Sequence, residues 1–248
     1  MSSTRTTDRP PAPGRPRRRT GLWITLGVLV VLLVVAAFIG PRIYASIENE
    51  DAAAPLVTAA ATPSATASQA ATDASLDGAW AIAPGATAGY RVAEVLNGQD
   101  VTVTGRTDQV TGGLAVAGGE LTEGTVSVDL ASVTTDSGRR DDQFRGEDIM
   151  DVEQFPTADF ALTRPVPLGG LDVGSTIAVQ LVGTLTLKGT TRDVTVPATV
   201  ERTAQDAVTV TGAADVTWSD YGVQAPDLGF VSVEDAGTIE FTFAATPA

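Results

Sequence analysis

The side chains of this chain that could do chemistry are carboxylates and arginines, because histidine and cysteine are absent. That removes the imidazole base, the thiol nucleophile and the usual zinc sites. The carboxylates stand in neighbouring pairs, Asp141-Asp142 and Glu147-Asp148. Glycoside hydrolysis uses two facing carboxyl groups. Adjacent residues on a helix point in different directions, so these pairs do not make an acid–base couple. With 30 acidic against 16 basic residues and a net charge of −14, solvated carboxylate is the ordinary condition of this chain. It has no calcium loop of alternating Asp or Asn ligands closed by Glu. The expectation is a protein that is not an enzyme, with no catalytic residue, no metal and no cofactor.

Binding is the better use for the arginines. Arg139, Arg140 and Arg145 gather in the run from Gly138 to Phe160, against an acidic background that repels phosphate backbones and excludes nucleic acid as a partner. A guanidinium fork suits a phosphate or carbonyl headgroup. The same arginines could instead pair with Asp141, Asp142, Glu147, Asp148 or Asp151 and pin the segment down. Phe144, Met150 and Phe155 offer apolar contacts beside them. The spacing predicts a short helix from about Arg139 to Arg145, capped by Asp136 or Ser137 and ended by Gly146. Arg140 and Phe144 then share a face. The helix is either a plug over one end of a barrel or the mouth of a ligand site.

The elements around it read as strands. Val126, Val128 and Leu130 alternate with smaller or polar residues. So do the rows Ile177 to Leu187, Val194 to Val200, Val208 to Trp218 and Ile239 to Phe243. Strict alternation argues half-buried antiparallel strands. Shorter candidates are Tyr90 to Val95, Val101 to Gly105, Leu114 to Ala117 and Thr157 to Thr163. Turns are expected at Gly112-Gly113, Gly118-Gly119 and Lys188-Gly189. About eight or nine strands with short connections suggest a barrel or a sandwich. Gly183 and Gly212 fall on core-facing rows, where small residues either leave interior room or mark strand coiling. Trp218 has core spacing and could also line a cavity.

Residues 78–248 form this β domain, and the N-terminal third differs in kind. Gly21 to Gly40 carries no charge and is about the length that spans a hydrocarbon core. Arg15, Arg17, Arg18 and Arg19 on its N-terminal flank keep residues 1–20 cytoplasmic and place residues 41–248 outside the cytoplasm. The expectation is an uncleaved single-pass signal-anchor at 21–40, with a cleaved signal as the alternative. Residues 41–77, rich in Ala, Thr, Ser and Pro, read as a flexible tether.

The ordered motifs resemble one family. Thr134-Thr135-Asp136, Arg140-Asp141, Phe144-Arg145, Met150-Asp151, Phe155-Pro156 and Ala158-Asp159-Phe160 come in that order. Gly183-Thr184-Leu185-Thr186 leads to Lys188-Gly189-Thr190 and Arg192-Asp193-Val194. Trp80-Ala81-Ile82 and Tyr221-Gly222-Val223 flank the set. Together they resemble the YceI family of lipocalin-like polyisoprenoid-binding proteins. The chain departs from that pattern where many members have Phe-x-Val-x-His: here Tyr90 and Val92 lead to Glu94. The resemblance implies an all-β, lipocalin-like antiparallel barrel with a short helix, binding or carrying an isoprenoid lipid of quinone or polyprenyl type in an apolar cavity outside the cytoplasm. Tyr90, Val92 and Phe160 lie in its matching segments. They join Arg140, Phe144, Arg145, Met150, Gly183, Gly212 and Trp218 as the candidate ligand-binding set. The alternative is an anchored structural or interaction module contacting protein or cell-wall polymer.

Overall fold

Among the described residues, eleven strands pair antiparallel in one sheet that closes on itself. The computed structural model describes Asn49, residues 52–57 and residues 75–248 except 228 and 230. Among these, no helix is long and apolar enough to cross a membrane. The expected anchor at 21–40 and the basic tail at 1–20 lie outside the described residues.

The strands are β1 (Gly78–Ile82), β2 (Thr87–Leu96), β3 (Gln99–Thr107), β4 (Val110–Ala117), β5 (Glu120–Asp129), β6 (Thr157–Leu162), β7 (Val166–Pro167), β8 (Thr176–Leu187), β9 (Thr190–Ala204), β10 (Ala207–Thr217) and β11 (Val231–Pro247). β1 pairs with both β4 and β11, which closes the ring β1–β4–β5–β6–β8–β9–β10–β11. Toward the other end of β11 its neighbour is β2, which pairs in turn with β3. One helix, α1 (Gly138–Arg145), lies between β5 and β6.

The alternation read from the sequence sets which face points inward. Val179, Leu181, Leu185 and Leu187 of β8 are buried, as are Val208, Val210, Ala214 and Val216 of β10. Side chains of period two on a closed sheet meet in the lumen, where burial stabilises by roughly 25 cal/mol per Å² of apolar surface. The turns at Gly118-Gly119 and Lys188-Gly189 form with positive φ. The one expected at Gly112-Gly113 does not: both residues lie inside β4, opposite Val126 and Thr125. Any side chain at Gly112 would collide with the Thr125 carbonyl, so the glycine marks close backbone approach rather than a turn. Trp218 also departs from its expected strand. It opens a 3-10 turn, Trp218–Tyr221, at the end of β10.

Part of the segment read as a tether lies against the outer barrel wall. Asn49 donates to the Asp100 carbonyl at 3.0 Å and accepts from the Thr102 N–H at 2.8 Å. The Leu56 N–H donates to Glu240 at 3.3 Å. Glu240 is 3% exposed and also pairs with Arg91 at 3.3 Å and with Arg106. Burial alone would raise its pKa, but the Leu56 N–H, Arg106 and Arg91 together hold it below the ordinary 4.5.

Candidate functional site

Helix α1 reaches the barrel because β3 has a free edge. Arg106 and Thr134 exchange backbone hydrogen bonds of 2.9 and 3.0 Å, which delivers the chain to the helix start. Ser137 is the N-cap, but its hydroxyl makes no cap bond. Asp141 does the anchoring instead, accepting from the Thr135 N–H at 2.8 Å and the Thr135 hydroxyl at 2.7 Å. Asp136 forms an ion pair with Arg140 one turn on. Gly146 ends the helix as its C-cap. Lys188, at the β8–β9 turn, donates to the Glu147 carbonyl at 3.0 Å and ties down the residues just past the helix.

The interior divides into two chambers. The first, about 130 Å³, fills the lumen and is walled by residues such as Trp80, Phe160, Leu181, Val196, Phe241 and Phe243. Among the described residues, no charged, amide or hydroxyl side chain lines it. Its polar edge is the Trp80 indole N–H, which donates to the Leu76 carbonyl at 2.9 Å. The second, about 290 Å³, lies under α1 and is walled by Tyr90, Val92, Glu94, Arg140, Phe144 and Trp218 among others. Ala158, Val194 and Ile239 line the first chamber and pack against the core cluster around the second, so the two adjoin there.

An aromatic trio shapes the second chamber. The Tyr90 ring stacks on Phe144 with centroids 5.4 Å apart and meets Trp218 edge-on at 6.3 Å. Burial pushes the Tyr90 hydroxyl up to about 12; Arg140 opposes this, while Asp141, Asp136 and Glu94 add to it. Glu94 faces the same space and is 7% exposed. Burial raises its carboxyl above the ordinary 4.5, with Arg140 opposing and Asp136 reinforcing. The opposing strand is irregular at this point: β11 shifts register between Val233 and Gly237, and Asp235 in the bulge accepts from Ser219 of the 3-10 turn. Bulges re-aim side chains, and this one sets Val231 and Val233 in the chamber wall and Trp218 over Gly237.

Of the candidate residues, Tyr90, Val92, Arg140, Phe144, Met150 and Trp218 line the second chamber, and Phe160 lines the first. Three lie elsewhere. Arg145 pairs with Asp142 at 3.0 Å and donates to the Ala131 carbonyl at 3.4 Å, outside either chamber. Gly183 and Gly212 leave no empty room. A Cβ on Gly183 would come within 2.5 Å of Phe160 Cζ, and one on Gly212 within 2.6 Å of Phe241 Cζ. Gly105 under Tyr90 and Gly237 under Trp218 repeat the device. Each glycine lets an aromatic ring on a neighbouring element lie flat against the wall. Sequence reasoning passes over Glu94 as a site residue. Its even spacing from Tyr90 and Val92 on one strand face is the signal that could have found it.

An eight-stranded closed barrel with an apolar lumen and one short helix defines a lipocalin-like fold. The YceI-like domain description matches residues 80–245, and the chain belongs to that family. A UPF0312 protein of Shewanella denitrificans is 28% identical over 134 residues, which are 51% of this chain and 66% of that protein. The solved polyisoprenoid binding domain from Saccharophagus degradans, implicated in plant cell wall breakdown, is 20% identical. It matches 68% of this chain and 98% of its own with a TM-score of 0.56. BcnA of Burkholderia cenocepacia is 25% identical, with 63% and 96% covered and a TM-score of 0.51.

Proposed function

We propose that this chain binds and carries an isoprenoid lipid, of quinone or polyprenyl type, with its tail in the lumen and its head under α1. The observation that carries this reading is a lumen with, among the described residues, no charged or hydroxyl side chain in its lining, next to a chamber that has them. A long apolar tail with one polar end matches that division, and such binding needs shape and dryness rather than catalytic groups. The Saccharophagus domain, described as polyisoprenoid-binding, shares the fold and so supports the reading. The signal-anchor pattern at 21–40 adds that the barrel works on the outer face of the membrane. Mass spectrometry of lipid extracted from the purified full-length chain tests the proposal. A stoichiometric isoprenoid is expected. A chain that emerges without lipid, and takes up none when isoprenoids are supplied, would show that the barrel serves as a structural or interaction module.

A further inference from the structure

We propose that the loop at residues 168–175, between β7 and β8, is a chain-length stop. Leu168 and Leu171 meet the end of the tail and set the longest isoprenoid the barrel buries in full, and Arg202 positions them. The inference rests on reading the lumen as the tail site and adds which tails it prefers. The strands fix the direction of the lumen. Lys188, in the β8–β9 turn, bonds beside the end of α1. β9 therefore runs away from the helix, and Arg202, near its last residue, lies at the far end. β5 runs toward the helix, so its first residues, Glu120 and Leu121, also stand at the far end, where β7 pairs with them.

The loop crosses that end. The Leu168 N–H donates to the Gly119 carbonyl in the β4–β5 turn at 3.0 Å. The Gly174 N–H donates to the Arg202 carbonyl at 2.7 Å, and the Arg202 N–H donates to the Ser175 carbonyl at 3.0 Å. Between these anchors Leu168 and Leu171 are buried and line the lumen, whereas Val173 is exposed. Both leucines pack in one core cluster with Val208 and Ala245, which pair where β10 and β11 reach this end and are buried too. The far end is thus shut off from solvent. Arg202 is 2% exposed, and a charge is kept at such depth only by polar partners. Its guanidinium donates, among other contacts, to the Leu171 carbonyl at 3.4 Å and the Gln205 carbonyl at 3.1 Å. One residue therefore holds both the leucine and the close of the loop. A close-packed floor pinned in this way does not yield to an added isoprene unit without strain. A tail that is one unit too long must leave that unit in water at the α1 end.

The test offers the full-length chain an equimolar mixture of prenyl alcohols of graded length in non-ionic detergent. Native mass spectrometry reads which lengths are retained. Detergent shelters a tail about as well as the lumen does, so only a unit stranded in water counts against binding. The parent should show an upper cut-off, with the next longer alcohol retained at least about tenfold less. Leu168→Ala with Leu171→Ala removes about six carbon atoms, roughly one isoprene unit. The double variant should move the cut-off up by about one unit and retain shorter alcohols as the parent does. Arg202→Gln should admit longer alcohols with the shorter ones unchanged. Equal loss at every length in that variant would overturn the positioning role of Arg202. A parent that retains all lengths alike, or a double variant with the parent's cut-off, would overturn the stop while leaving isoprenoid binding intact. A parent that retains none of the alcohols would instead sink the proposed function. If the double variant does not fold, Leu171→Ala alone decides, by raising retention of the first excluded alcohol severalfold or failing to.

Discussion

Glu94 and Glu240 are two buried carboxyl groups on opposite faces of the barrel wall, and they bias stability in opposite directions. Glu240 has a folded pKa below its ordinary value. The stability it contributes is present above that ordinary value and is lost as pH falls through the folded one. Replacing it by Gln removes the charge that Arg91 and Arg106 share, at a cost of about 3 kcal/mol at neutral pH. Urea titrations should show the full loss at pH 7 and a progressively smaller one as the pH is taken below 4.5 and through the folded value. Glu94 has a raised folded pKa, with Arg140 and Asp136 the charged groups that act on it. Its unfolded form releases the proton first, so stability falls as pH rises from the ordinary value toward the folded one. Glu94→Gln should therefore raise the thermal midpoint at pH 7 and leave it unchanged well below pH 4.5. A variant less stable than the parent at pH 7 would contradict this. The glycines make a third residue-scale prediction. Gly212→Ala should cost about 1–3 kcal/mol, because Phe241 occupies the Cβ position. In a Phe241→Leu background the added cost should nearly vanish, and equal costs in both backgrounds would place the strain elsewhere.

At the scale of elements, α1 is held by few bonds. The Thr135–Asp141 pair fixes its first turn, and Lys188 fixes the residues after its end. Asp141→Ala leaves the Thr135 N–H without its acceptor, and the Thr135 hydroxyl with only the Ser137 carbonyl, and should cost about 1–3 kcal/mol. The expected consequence is local: faster hydrogen exchange over residues 135–152 and weaker retention of a fluorescent isoprenoid, with β8–β10 exchanging as before. Uniform acceleration across the barrel would show that the helix is part of one cooperative unit. The glycine rows illustrate how an element can mislead. Gly183 and Gly212 read as spaces on core-facing strands, yet the spaces are filled by rings from β6 and β11. Gly112-Gly113 read as a turn, yet they let β4 and β5 approach without a break.

At the scale of the molecule, the question is where the barrel stands relative to the membrane. The charge asymmetry across 21–40 predicts that protease added to intact cells removes the domain at 78–248. Full protection until lysis would refute that orientation. An extended tether of 41–77 would reach roughly 100 Å at about 3.3 Å per residue. The bonds from Asn49, Ala53 and Leu56 to Asp100, Arg91 and Glu240 place part of that segment on the wall and shorten its free length. Glu240→Ala, which leaves the Leu56 N–H no acceptor, should lengthen the reach by releasing Leu56, which cross-linking from Leu56 to the barrel would detect as a loss.

The one-dimensional pattern determined most strand rows, a helix from about Arg139 to Arg145 and the lack of thiol and imidazole groups, because period two, period 3.6 and residue type are local properties. It also brought out Phe144, Met150 and Trp218 by apolar bulk and spacing, and Tyr90 through its place in the motifs that resemble the YceI family. Only the tertiary structure decided that Arg145 turns away, since its orientation depends on the Ala131 carbonyl and Asp142. It alone showed that Phe160 and Phe241 occupy the glycine spaces, because register between strands fixes which ring lies over which glycine. It alone made Glu94 notable. In the sequence Glu94 is one acidic residue among many. In the barrel it is a carboxyl drawn out of water beside an ion pair that closure of the sheet and docking of α1 bring to it.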